Sequence, residues 1–434
     1  MTAARQGMSR KQLLSYAQAV GRVNIFEGAI RSGKSFSWTW LLLHKVATAG
    51  PIGSIVIVGR SRLSVWRNVF EPLFQVPVFA MFAKHVHYKQ GAPTAKIFGR
   101  EVHVFGADDV TSENAIRGMT VQLAFLDELT VLHVEFFKQM LGRMSVEGAQ
   151  LFATTNPDNP QHWLRTEYLN RLAELPDWRV FHFVLDDNPS LSEEYKASVR
   201  REYSGLWYRR FILGEWVAAE GAIFDMWDEK RHVVAWEKMP PITDWIGVGI
   251  DYGTTNATAV IAAGIGADGR LYLTDEWRFE ASEKSMRATD SQLSKGIREW
   301  LVQPHAPIPE QGAPPSAAFE DVPVIADPAA ASLRVQLIAD DQFTYPANND
   351  VLYGIRLMAS LLGADMLRVS DRCAGFITEV TGYSWDPKAT AVGKDAPLKV
   401  HDHSLDAARY ALVTTERRWR SLINFPSSSK DTAA

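Results

Sequence analysis

A chain of 434 residues is longer than one hydrophobic core usually organises, so two domains are expected. Hydrophobic residues make up 46% and charged residues 22%, a balance that excludes a largely disordered, collagen-like or disulfide-scaffold protein. With a formal net charge of −4, any grip on nucleic acid has to come from local clusters of positive charge.

The chain opens on a polar stretch, Met1–Lys11, without a signal-peptide core, and no later apolar run approaches a membrane span. Short β-rich runs then alternate with helical stretches, the pattern of a mostly parallel sheet. Strands are expected at Val23–Glu27, Ser54–Val58, Glu101–Phe105, Leu123–Leu126, Leu151–Thr154 and Val180–Val184. Ser190 or Ser192 reads as a helix cap, with Glu193 and Glu194 in the first turn. From about Gly214 to Thr243 the periodicity dissolves, which suggests a first domain over 1–220, a linker over 221–244 and a second domain over 245–416.

The second domain should open with an antiparallel meander, Trp245–Asp251, Ala257–Ala263 and Leu271–Trp277. A helix over Glu283–Val302, a Pro-rich loop, a strand ending at Ile325-Ala326 and a helix from Ala329 follow. The single cysteine, Cys373, allows no intramolecular disulfide and no Cys-rich zinc site, which suits a reducing interior. A last helix should run from His403 to about Glu416, and 417–434 reads as a basic, then disordered, tail.

The most informative stretch lies between the first strand and the first long helix. Gly28-Ala29-Ile30-Arg31-Ser32-Gly33-Lys34-Ser35 matches G-x4-G-K-[ST] in full. Glycines let backbone N–H groups close around phosphates, and the helix N-terminus adds positive potential. Lys34 would reach the β/γ-phosphates and Ser35 would bind Mg²⁺. The apolar strand Val121–Leu126 ends in Asp127-Glu128, where Asp127 would serve the metal and Glu128 would polarise the attacking water. Thr155 and Asn156, at the tip of the next strand, could sense the γ-phosphate and pass the change on. Arg60, past the second strand, could face phosphate, DNA or solvent. Together these features read as an ATPase.

The second domain carries scattered carboxylates. Asp251 ends the first meander strand and Asp327 ends a later one. Asp402 and Asp406 are four apart on the last helix and so share a face. Strand-end acids joined by one from a late helix are the layout of a ribonuclease-H-like two-metal site, in which two Mg²⁺ or Mn²⁺ ions activate water and stabilise a leaving oxygen. Each acid alone also reads as a cap or a solvated residue, and Asp402 at the helix start is a candidate N-cap. Ile250-Asp251-Tyr252-Gly253-Thr254-Thr255-Asn256 is also similar to the first phosphate loop of the sugar kinase, actin and heat-shock ATPases. No second loop of that kind follows downstream. Lys394, Lys399, Arg417, Arg418 and Arg420 offer the local positive charge a DNA-binding surface needs.

In this order the motifs resemble those of the large terminase subunit of tailed bacteriophages, over roughly Ile25 to Leu412. The most specific stretches are Gly28–Ser35, Leu123–Glu128, Ala153–Pro157 and the closing Lys399-Val400-His401-Asp402-His403-Ser404-Leu405-Asp406-Ala407-Ala408-Arg409-Tyr410. The resemblance implies a P-loop ATPase domain followed by a ribonuclease-H-like nuclease domain. It implies an ATP-driven motor that threads double-stranded DNA through a portal into a procapsid, and a nuclease that cuts concatemeric DNA. By match to the motifs, Lys34 and Ser35 bind nucleotide, Asp127 and Glu128 serve metal and water, and Thr155-Asn156 couple hydrolysis to movement. Arg31 falls where the family often carries a charge-stabilising arginine. Asp251, Asp327 and Asp406 fall on the nuclease metal ligands, with Asp402 and His403 close by, and Glu320 or Asp321 as alternatives to Asp327. ATP with Mg²⁺, two Mg²⁺ or Mn²⁺ in the nuclease, a small terminase subunit and a homo-oligomeric ring are implied as cofactors and partners. The host cytoplasm is the implied location. A translocase without nuclease activity and a metabolite kinase remain the competing readings.

Overall fold

The computed structural model describes residues 7–107, 110–253, 257–280, 288–308 and 315–423. Eight strands form the first sheet: β1 (Val23–Gly28), β2 (Ser54–Gly59), β3 (Val86–His87), β4 (Thr94–Ile97), β5 (Arg100–Gly106), β6 (Val121–Leu126), β7 (Gln150–Thr155) and β8 (Trp178–Phe183). Their order is β3-β4-β5-β2-β6-β7-β1-β8, parallel from β5 to β8 and antiparallel in the β3-β4-β5 margin. Alternate residues serve opposite faces, as a two-residue period requires. Ile55 and Ile57 of β2 enter one core while Val56 and Val58 enter the other. Both faces are therefore covered, and the strands read as continuous apolar runs.

Each expected strand of this sheet is present, with ends that shift by one or two residues. The hairpin β3-β4 and the short helices between Arg62 and Ala83 carry no clear period and were not expected. β4 and β5 are joined through Phe98 and Gly99, both at positive φ (50° and 78°). Phenylalanine is an unusual residue for the first of those positions, so the turn had no sequence signal. Helix α1 (Arg10–Gln18) lies ahead of β1, and α2 (Lys34–Thr48) follows it. After β8, α3 (Glu193–Glu202) begins at Ser192, whose hydroxyl accepts from the Tyr195 amide as a cap should, and α4 (Gly205–Phe211) comes next.

The second sheet is built from β9 (Val233–Val234), β10 (Ile242–Asp251), β11 (Thr258–Gly266), β12 (Leu271–Phe279), β13 (Val324–Ala326), β14 (Tyr345–Pro346) and β15 (Leu367–Ser370). Its order is β14-β13-β10-β11-β12-β15-β9. The meander β10-β11-β12 is antiparallel, and β13 pairs parallel to β10, placing Ala326 beside Ile250. Helix α5 (Asp290–Leu301) starts later than Glu283, because Thr289 caps it in a reciprocal box with Gln292; residues 281–287 lie outside the described residues. Helices α6 (Ala331–Ala339), α7 (Ala374–Gly382) and α8 (His403–Thr414) follow. α8 lies across β10 so closely that a Cβ at Gly249 would sit 1.8 Å from the Ala407 carbonyl oxygen. Only glycine allows that approach.

Two expected boundaries shift. The 221–244 segment is not a free linker: Ile223 and Phe224 are buried in the second core and β9 joins the second sheet. Residues 417–423 are not a tail either, since Trp419 and Ile423 are buried in that same core. Asn424 onward lies outside the described residues. No helix among the described residues is long and apolar enough to cross a membrane.

Candidate active sites

The strand order β6-β7-β1 puts the tip of β7 between the phosphate-loop segment and Asp127-Glu128. Gly28 has φ +137°, and a Cβ there would lie 1.9 Å from the Phe183 carbonyl oxygen. Gly33, at φ +82°, leads into α2, which no side chain caps. First-turn N–H groups of such a helix suit an anion. Lys34 is buried, and its Nζ donates to Asn156 Oδ1 (2.6 Å) and to the carbonyls of Ala29 (2.9 Å) and Gly28 (3.5 Å). The Ser32 hydroxyl donates to the Ala29 carbonyl (2.8 Å), and the Ile30 amide donates to the Phe211 carbonyl at 2.9 Å. Arg31 takes a positive φ of 54°, and its carbonyl accepts from Asn188 Nδ2.

Asp127 is held from two sides, by Asn68 Nδ2 (2.8 Å) and the Thr154 hydroxyl (2.9 Å), while Thr154 also accepts from the Glu128 amide. Thr155 accepts from the Thr130 amide at 3.2 Å. Burial pushes Glu128 up to about 7, reinforced by the Asp127 charge and opposed by Lys34 and Arg60. Burial also raises Asp127, against its two hydrogen bonds. Lys34 is lowered to about 8 by burial, with both acids pulling the other way. Arg60 thus acts on Glu128 electrostatically. A base poised near neutrality beside a buried lysine suits proton handling at an attacking water.

In the second unit, Asp251, Asp402 and Asp406 are mostly buried acids that act on one another. Burial pushes Asp251 up to about 6, and the charges of Asp406 and Asp402 raise it further against the His403 hydrogen bond. His403 Nδ1 lies 2.8 Å from Asp251 Oδ2, and that contact raises the histidine. Lys399 Nζ sits 3.2 Å from Asp402 Oδ2 and 3.3 Å from Asp406 Oδ2, and Arg409 reaches Asp406 Oδ1 at 3.0 Å. Asp327 is bound on both oxygens, by the Ala329 amide (2.8 Å) and by the Tyr410 hydroxyl of α8 (3.0 Å). Glu320 and Asp321 are exposed on the loop before β13.

Among the described residues no three His, Cys, Asp or Glu side chains stand in a metal-holding arrangement. The donor chemistry nevertheless suits a hard divalent cation. Its carboxylate oxygens are buried, mutually repelling, and covered by Lys399 and His403 in the place of a cation. Asp402 makes no capping bond at the start of α8, contrary to the N-cap expectation. Glu379 does that work, accepting from the amides of Ser404 (2.7 Å) and Leu405 (3.2 Å) while pairing with Arg278 at 2.6 Å. No local spacing marks Asn68, Arg278 or Glu379, or Glu276, which accepts from the Gly375 amide at 2.7 Å, since these partners meet across long chain separations. Arg420 turns inward to Glu416, whereas Arg417, Arg418 and Lys394 are exposed.

Comparison with known proteins agrees with both units. Residues 25–231 match a family model described as "Terminase large subunit, T4likevirus-type, N-terminal". A large terminase from a thermophilic bacteriophage is 30% identical, covering 93% of this chain and 98% of that one with a TM-score of 0.78. The same protein in complex with ADP matches 95% of this chain and all of its own (100%), at 30% identity and a TM-score of 0.79. Its complex with ATP-γ-S gives 30% identity, 94% and 99% coverage and a TM-score of 0.78. Comparison with curated proteins returns no match. With a P-loop sheet and a ribonuclease-H-like sheet in one chain, and this likeness over nearly the whole length, the chain belongs to the large terminase family of bacteriophages.

Proposed function

We propose that this chain hydrolyses ATP to drive double-stranded DNA through a portal into a procapsid, and that its second unit cuts the DNA. The carrying observation is the presence of two separate acid-and-lysine clusters, one at the strand ends of the first sheet and one where the start of α8 meets the end of β10. In the motor, Lys34 turns from Asn156 to the β/γ-phosphates, and Glu128 orients and deprotonates the attacking water. Asn156, released by Lys34, passes the change along β7. The bound Mg²⁺, with Ser35 and Asp127 as its holders, would neutralise phosphate charge. In the nuclease, two divalent ions would activate water and stabilise the leaving oxygen. Asp251, Asp406 and Asp402 would hold them, with Asp327 alongside, and His403 keeps Asp251 oriented.

The thermophilic-phage relative solved with ADP and ATP-γ-S supports nucleotide use here. Exposed Lys394, Lys399, Arg417 and Arg418 supply local phosphate contacts, so affinity for DNA should fall steeply with salt. A small terminase subunit, a ring of copies and the infected cell's cytoplasm complete the reading. The test is ATP turnover by the purified protein with and without linear DNA, alongside Mn²⁺-dependent cutting of supercoiled plasmid. DNA-stimulated turnover and cutting are expected. Turnover without any cutting would favour a pure translocase, a reading that the lysine-covered acids also accommodate.

A further inference from the structure

Three features stand outside the two sites: an exposed apolar patch at Val335, Ile338, Phe343 and Tyr345, a buried His305–Asp275 pair, and a buried charge junction around Arg210. Nothing in the structure says what covers the patch, and His305 is a packed core residue between Trp300 and Phe319. The junction carries further.

Arg210 sits on α4 and is 2% exposed. Its guanidinium donates to Asp395 through both terminal nitrogens, the longer contact being 3.3 Å, to Asp158 Oδ1 at 3.0 Å and to the Val217 carbonyl at 2.9 Å. The Asp395 side chain is only 4% exposed. Asp158 and Asn159 directly follow the Thr155-Asn156-Pro157 tip of β7. Asn159, fully buried, donates to Asp395 Oδ1 (3.3 Å) and to the Thr390 carbonyl (3.4 Å). Backbones also meet closely, since a Cβ at Gly393 would lie 2.9 Å from the Gln161 carbonyl oxygen. Asp395 in turn belongs to the loop that carries Lys399 onto Asp402 and Asp406. On its other side, α4 touches the phosphate loop through the Ile30 amide and the Phe211 carbonyl, the residue next to Arg210.

Two segments therefore converge on one guanidinium, the segment after β7 and the loop before α8, and the phosphate loop is tied to the backbone of the next residue on the same helix. We propose that Arg210 is a positioning residue through which the nucleotide state of the first unit sets the Thr390–Lys399 loop at the nuclease site. This rests on the reading of both sites given above. The chemistry favours a discrete latch over a soft contact. A planar five-donor fork bound to two carboxylates and a carbonyl fits one arrangement well and others poorly. A buried ion pair contributes little net stability but is costly to break on one side. It is thus suited to a junction with two settings, each biased by both ends.

The experiment is hydrogen exchange on the full chain, with and without ATP-γ-S and Mg²⁺, in wild type and Asp395→Asn, with Mn²⁺-dependent plasmid cutting in the same four conditions. Wild type should show nucleotide protection at Gly28–Ser35 and a nucleotide-dependent change of exchange across 387–401, with cutting shifted in parallel. In Asp395→Asn the protection at Gly28–Ser35 should persist, while exchange across 387–401 rises ~10-fold or more, the scale of a lost charge-assisted hydrogen bond, and no longer responds to nucleotide. If that variant does not fold, Asp158→Asn carries the same test on a side chain 39% exposed. Retention of the response in the variants, or a wild-type loop indifferent to a bound nucleotide, overturns the latch. Absence of any protection at Gly28–Ser35 overturns the motor reading and the latch together.

Discussion

Both acid clusters of this chain hold a lysine, and the two lysines are held differently. Lys34 starts a long helix, is buried to 7% exposure, and is fixed by two backbone carbonyls and Asn156. Lys399 rides a surface loop, its side chain is 59% exposed, and only carboxylates hold it. A buried ammonium in a backbone cradle can only exchange one oxygen partner for another, which is what a phosphate offers. An exposed ammonium over two buried acids can leave for water or DNA phosphate when a divalent cation takes its place. The first cluster is thus pre-organised for a phosphate, and the ammonium over the second is the more easily exchanged of the two.

The largest effects should show the two sites to be separable. Lys34→Ala removes the charge facing the phosphates and should lower ATP turnover by ~10²–10³-fold, with plasmid cutting retained. Asp251→Asn and Asp406→Asn should do the reverse, abolishing cutting and leaving DNA-stimulated turnover near wild type. If either nuclease variant loses ATPase activity in step with cutting, the two sites are not separable in the way the geometry implies.

Next in size is Glu128→Gln, which should bind nucleotide yet turn it over ~10²-fold more slowly, the usual scale for a lost general base. Normal turnover would move the water-orienting role elsewhere, with Arg60 and Thr154, which both act on Glu128, the groups to examine. Asp402→Asn should be milder. Its carboxylate shares Lys399 with Asp406 but stands second to it in its effect on Asp251, so ~10–100-fold in Mn²⁺ affinity is expected. A Mn²⁺ titration of plasmid cutting measures this, and added metal should recover much of the rate.

The smallest effect is on pH. Asp251 is raised to about 6 in the metal-free protein, so below that pH a proton competes with the cation. Mn²⁺ affinity, followed by the spin resonance of the free ion, should fall by about tenfold per pH unit below about 6 and level off above it. For stability the sign is opposite to the usual carboxylate. The folded state keeps its proton to higher pH than the unfolded chain, so Asp251 stabilises the metal-free fold most at low pH, and this is lost as pH rises from about 4 through about 6. A flat affinity profile across pH 5–7 would mean that Asp251 is not a ligand.

How much of this was legible depends on how local each feature is. The phosphate loop could be read because its eight residues are contiguous and lie between a strand and a helix, so one segment carries the whole geometry. The meander β10-β11-β12 and the start of α3 at Ser192 were legible for the same reason: period and cap lie within a few residues of one another. The nuclease acids were legible only as candidates, because Asp251, Asp402 and Asp406 come together through the approach of α8 to β10 at Gly249. Asp402 does stand at the N-cap position of α8, but the capping bonds are made by Glu379, 23 residues upstream by the sequence numbering, on a helix that packs alongside. Arg210 illustrates the limit most clearly. In the sequence it is one of two adjacent arginines, Arg209 and Arg210, on a short amphipathic helix. Arg209 pairs with Glu215 on the surface, while Arg210 is buried against Asp395, 185 positions away. Local pattern fixes periods, caps and loops, whose partners lie within a turn or two of chain. Which of two like charges is desolvated, and which carboxylates share a cation, is decided only when distant segments exclude water together, because the strength of an electrostatic contact depends on that exclusion.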